Sequence, residues 1–208
     1  MFLINLSALR KPILFIFLLS CLIDFVGCGP QAFVKGKYDE DVERTNLMTD
    51  EWSESDMQET VKSMVGSLVA HPVVSGAKVR PVVMVTQLQN KTSEHIDTQS
   101  IMDMVKVELM KTGKLIFVDK EARQDIDQEY DYQNSGRVSK ETAKGPGQQT
   151  APDFIVNGRL DSIVQEVGKE KSVYYKITLN LTSIKSGLTE WSDQKQIRKL
   201  YKKKTIGL

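Results

Sequence analysis

Apolar residues recur at helical spacing in the first half of the chain and alternate near its end. Over residues 52–72, Met57, Val61, Met64, Val65 and Leu68 fall on one face of a helix. Ser53 or Ser55 stands where an N-cap belongs, with Asp56 or Gln58 three residues on to complete a capping box, and Pro72 ends the run. The segment 78–90 contains an unbroken apolar stretch from Pro81 to Val85, which predicts a buried strand. A second helix starts at Asp97 or Thr98, carries Ile101, Met104, Val105 and Leu109 as its stripe, and ends at Gly113. Residues 114–119 predict a short strand. Residues 120–133 predict a polar helix whose sparse apolar side is Ile126 and Tyr130.

The period then changes. Residues 134–152 hold three Gly, two Pro and almost nothing apolar, the pattern of a surface loop with one helical turn from Ser139. Three long strands follow, and the middle one alternates through Tyr175, Ile177, Leu179 and Leu181. Gly168-Lys169 and Ser186-Gly187 supply the two turns, giving a β-meander. The order α-β-α-β-α followed by β-β-β predicts one α/β domain over residues 47–200, a single mixed β-sheet flanked by helices. A hydrophobic content of 40% is enough for such a core. Residues 201–208 form a basic tail.

The N-terminus has a different character. Arg10 and Lys11 precede the apolar run Ile13–Ile23, which is shorter than the roughly 20 residues a bilayer-spanning helix needs and fits a signal peptide over residues 1–27. Two cysteines follow, Cys21 and Cys28. "FVGC" places Gly27 and Val26 before Cys28 as small residues do before a lipidated cysteine, while "LLSC" is a competing match at Cys21. Cys28 is favoured, because it leaves a full apolar run and precedes the polar segment that opens with Gly29-Pro30. Cleavage there leaves 181 of the 208 residues and a single cysteine, consumed by lipid. Residues 29–46 read as a tether that reaches roughly 60–65 Å when fully extended.

Charge and chemistry narrow the function further. With 28 basic and 27 acidic residues the chain lacks the basic excess of a nucleic-acid binder. The densest polar cluster is "NKTSEHIDT", Asn90–Thr98, where Glu94, His95 and Asp97 stand within four residues. The spacing does not match a zinc helix, and the other histidine, His71, lies beside Pro72 at a helix end. A strand-to-helix loop, with Ser, Thr and Asp side chains serving backbone donors, accounts for most of it. Asn90, Lys91, Thr92, Glu94 and His95 are its candidate partner-binding residues. No phosphate loop, G-x-S-x-G elbow or free nucleophilic cysteine is present, so no catalytic residue, metal or cofactor is expected. The run "KQIRKLYKKK" suits a solvated tail, or contact with anionic lipid or cell-wall polymer.

Three stretches, "TDEWSESDMQETVKSMV", "RPVVMVTQLQNKTSEHIDTQSIMDMVKVELMKTGKLIFVD" and "DFIVNGRLDSIVQEVGKEKSVYYKITLNLTSIKSGLTEWSDQKQIRK", resemble in order the LpoB family of penicillin-binding protein activators. The resemblance runs from about residue 47 to 199, with N-K-T-S-E-H-I-D-T and K-S-G-L-T-E-W its most specific parts. It implies a helix-flanked sheet without enzymatic activity, on an outer-membrane lipoprotein facing the periplasm. The partner it implies is a bifunctional class A penicillin-binding protein, with peptidoglycan a further candidate and nucleic acid excluded. The alternative function is that of a structural lipoprotein in an outer-membrane secretion or envelope assembly. The family's tether is longer and richer in proline than residues 29–46.

Overall fold

The computed structural model describes residue 41 and residues 49–203. The signal segment, Cys28, most of the tether and the last residues of the basic tail lie outside the described residues. Helix α1, Glu54–Ala70, starts at the capping box of Ser53 and Asp56, and buries Val61, Met64 and Leu68. A short α2, Pro72–Ser75, follows, with the His71 side chain accepting from the Val73 amide. Strand β1 spans Val82–Lys91. It begins later than the pattern over 78–90 predicts, after Pro81, whose carbonyl accepts from the Ile116 amide. Helix α3, Thr98–Lys111, is capped by Asp97, whose carboxylate accepts from the Gln99 and Ser100 amides at 3.1 Å.

Strand β2 is only Ile116–Val118. Helix α4, Arg123–Tyr132, has no buried residue and runs into a π-helical turn over Gln133–Arg137 that the pattern did not announce. Gly136, with φ of 83°, allows the chain to break from the helix there. Ile126 and Tyr130 are its half-buried side chains. The chain then forms β3, Phe154–Val167, β4, Glu170–Ser183, and β5, Thr189–Lys202. Tyr201 and Lys202, read from the sequence as tail, thus belong to β5.

The five strands lie in the order β2-β1-β3-β4-β5. The first three are parallel and the last three antiparallel, so the single sheet is mixed. Helices α1 and α3 pack on each other and on β5 and β1. The face they cover carries Val83, Val156, Leu160, Tyr175, Ile177, Leu179, Leu181 and Trp191, all buried. The apolar stripe of α3 sits slightly differently from the expected one, with Met102 fully buried and Met104 partly covered. β1 shifts register between Val85 and Leu88, a bulge that keeps Leu88 pointing into the core.

Candidate functional site

The loop from Asn90 to Asp97 joins β1 to α3, and its short polar side chains hold their own backbone. Asn90 accepts from the Thr92 amide at 2.9 Å and donates to the Glu94 carbonyl at 2.9 Å. The Thr92 hydroxyl accepts from the Glu94 amide at 3.1 Å. These contacts fix the loop as an alternative to regular pairing. Glu94 does something the sequence does not show. Its carboxylate accepts from the Trp52 amide at 2.8 Å and from the Tyr175 hydroxyl, residues 42 and 81 positions away.

That carboxylate is one point of a larger fastening. The segment 49–53, just before α1, lies against β4 and β5. Lys199 donates to the carbonyls of Thr49 at 3.2 Å and Glu51 at 2.7 Å, and the Tyr201 hydroxyl donates to the Thr49 carbonyl. Lys171 donates to Asp50 at 2.6 Å and holds its carboxyl below the usual carboxylate range. The Trp52 ring meets Tyr175 edge-on, with centroids 5.4 Å apart. Beneath them the Lys199 ammonium pairs with Asp56 at 2.5 Å, with both side chains almost fully buried. Asp56 also accepts from the Ser53 amide and hydroxyl at 2.8 and 2.7 Å, so one carboxylate serves both the helix cap and the ion pair. The inward position of Lys199, in phase with Trp191 and Ile197 on β5, was the one sequence signal for this network.

Burial pushes the Tyr175 phenol well above its ordinary value, and the hydrogen bond to the Glu94 carboxylate adds to the effect. A phenol raised in the folded state contributes stability that is complete below the unfolded value of about 10 and is lost as pH rises beyond it. Urea-unfolding midpoints of the wild type should therefore fall between about pH 9.5 and 11, and Tyr175→Phe should flatten that decline. An unchanged slope in the variant would assign the alkaline loss to other groups.

Asn90, Lys91, Ser93, His95 and Asp97 are the exposed members of the loop, and the Lys91 and His95 side chains have no hydrogen-bond or ionic partner among the described residues. Trp52, Met57, Glu94, His95, Asp97 and Ser100 line an open cleft of about 600 Å³ between the loop and the start of α1. Among the described residues no three His, Cys, Asp or Glu side chains gather where a metal ion could bind. The Asn90, Thr92, Glu94 and Asp97 side chains hold backbone, and Lys199–Asp56 and Lys171–Asp50 form ion pairs.

The family model of the peptidoglycan-synthase activator LpoB matches residues 56–197, from the capping carboxylate of α1 to β5. The chain belongs to the LpoB family. It is similar in structure to the LpoB C-terminal domain from Salmonella enterica, with 13% identity over 68% of this chain and 98% of that one and a TM-score of 0.43. It is also similar to E. coli LpoB, with 14% identity over 86% and 85% of the two chains and a TM-score of 0.40. A PelC dodecamer subunit from Paraburkholderia phytofirmans matches at 13% identity over 59% and 76%, with a TM-score of 0.34. No curated protein sequence matches the chain. The LpoB match contains β1, α3 and the entire Asn90–Asp97 loop, so the fastening of Glu94 to Tyr175 lies within the family region.

Proposed function

We propose that this chain is a lipid-anchored, non-catalytic activator that binds a bifunctional class A penicillin-binding protein directly and so regulates peptidoglycan synthesis. The observation that carries the reading is the family match across residues 56–197. The site is in keeping with it: the Glu94 carboxylate is committed to Trp52 and Tyr175. Lys91 and His95 remain exposed for a partner on a loop braced by Asn90 and Thr92. Among the described residues no helix is long and apolar enough to cross a membrane. In this reading the lipid at Cys28, outside the described residues, supplies the attachment. The N-terminal signal and a Gly rather than an Asp after Cys28 favour the outer membrane, facing the periplasm.

An activator acts by binding the active state of its partner more tightly than the resting state. The full chain in detergent should therefore accelerate glycan polymerisation or crosslinking by the class A synthase of its own cell, while turning over no substrate itself. Cys28→Ala should keep this stimulation in solution and move the protein from the membrane to the soluble periplasmic fraction. A folded protein that neither binds nor stimulates any class A synthase would overturn the proposal.

A further inference from the structure

The face of the sheet turned away from α1 and α3 is unusual at one end. Strand register puts Ile163, Tyr174 and Arg198 in one outward row across β3, β4 and β5. Gln165, Ser172 and Leu200 form the next row, and Val167, Glu170 and Lys202 the last. Ile163, Val167 and Leu200 are 57%, 80% and 74% exposed. Three exposed aliphatic side chains thus share this end of the sheet face, on three successive rows. Arg198 lies over the Tyr174 ring at 5.8 Å and has no carboxylate partner among the described residues. Tyr and Arg together are the residue types that most often anchor interfaces.

The surroundings identify the occupant. The row next inward is Lys91, Asp161, Lys176 and Gln196, followed by Arg159, Thr178 and Gln194. Asp161 is shared between Arg159 at 2.9 Å and Lys176 at 3.9 Å, so one carboxylate answers two cations. Lys91, Arg159, Lys176, Arg198 and Lys202 thus face only Asp161 and Glu170 on this surface. The outward face of β3–β5 measures roughly 45 by 14 Å over the full strands, about 630 Å², somewhat below the roughly 800 Å² that each partner contributes to a standard complex. Asn, Gln, Ser and Thr side chains fill the remainder, as at the polar rim of a protein interface. A lipid layer would leave those amides unpaired.

We infer that this sheet face, centred on Ile163, Tyr174, Arg198 and Leu200 and continuing through Lys91 into the Asn90–His95 loop, docks the synthase. The surface it meets on the synthase carries apolar side chains bordered by carboxylates. The inference rests on the activator reading above and names where its contact lies. The rigid sheet presents the row without reorganising, and Arg198 is pre-ordered on Tyr174, which lowers the ordering cost of association.

The test compares the full chain with Arg198→Glu, Arg198→Lys and Leu200→Ser, each checked for an unchanged melting temperature, in binding to the soluble part of the cell's own class A synthase. Arg198→Glu and Leu200→Ser should each weaken binding at least tenfold and lower stimulation in parallel, and Arg198→Lys should retain most of it. Wild-type binding with both variants within twofold would overturn this surface while leaving the activator reading intact. Failure of the wild type to bind would remove both. Variants that keep their synthase affinity but no longer bind phosphatidylglycerol vesicles would make the face a membrane contact, and the inference wrong.

Discussion

Replacing Lys199 by Ala should destabilise the domain by about 3–5 kcal/mol, since it leaves Asp56 as an uncompensated buried charge. The loss exceeds that of a surface ion pair, typically about 0–1 kcal/mol, because neither partner can recover its hydration. Lys199 also donates to two backbone carbonyls of the 49–53 segment, so that segment should detach in the same variant. Urea unfolding of Lys199→Ala, Asp56→Ala and the double variant measures the coupling. The double variant should be less destabilised than the sum of the two singles, because it leaves no orphaned charge. Additive losses would show that the pair contributes little and that Asp56 acts through its helix cap alone.

A comparable loss is expected at Gly158, in the middle of β3. A methyl group built on this residue would lie 2.2 Å from the Thr178 carbonyl oxygen and 2.6 Å from a Leu179 methyl. The first neighbour is backbone in the adjacent strand and cannot rotate aside, so β3 and β4 would have to separate locally. Overpacking of this kind typically costs about 1–3 kcal/mol, and a backbone obstruction puts Gly158→Ala at the upper end. For a domain of this size about 3 kcal/mol corresponds to a fall in melting temperature of roughly 6–12 °C. Gly158→Val, larger still, should fail to fold cooperatively. A melting temperature for Gly158→Ala within 2 °C of the wild type would show that the sheet tolerates the intrusion. By contrast Gly66, on the open side of α1, has nothing within 4 Å of such a methyl.

Gly158 looks from the sequence like a weak point in an alternating strand, and only the register to β4 shows that it fills a close approach. Much else was written locally. The Ser53–Asp56 cap, the period of α1 and the Gly168-Lys169 turn each depend on a handful of neighbouring residues, and each is where the pattern places it. The parallel pairing of β1 with β3 joins residues about 70 positions apart and has no local signature. The same holds for the site. Asp97 as a cap was legible because its target lies two and three residues away. Glu94 was legible only as a polar loop residue, since Tyr175 stands on a strand beyond two helices and a long loop. The outward row on β3–β5 was hidden for another reason: Ile163, Tyr174 and Leu200 fit the alternation of any strand until the covered face is known.

The segment 49–53 also decides how the domain carries load. It is held to Glu94 on one side and to Lys171, Lys199 and Tyr201 on the other, ahead of the first turn of α1. A pull on the chain at residue 49 therefore does not peel the helix open from its end. It loads several hydrogen bonds at once and passes into β4 and β5, the two strands joined over their whole length by antiparallel pairing. The helix cap at Ser53 stays slack while the sheet bears the tension. The domain is in this sense hung from its sheet, and a pull from the N-terminal side reaches β4 and β5 before it reaches the helix.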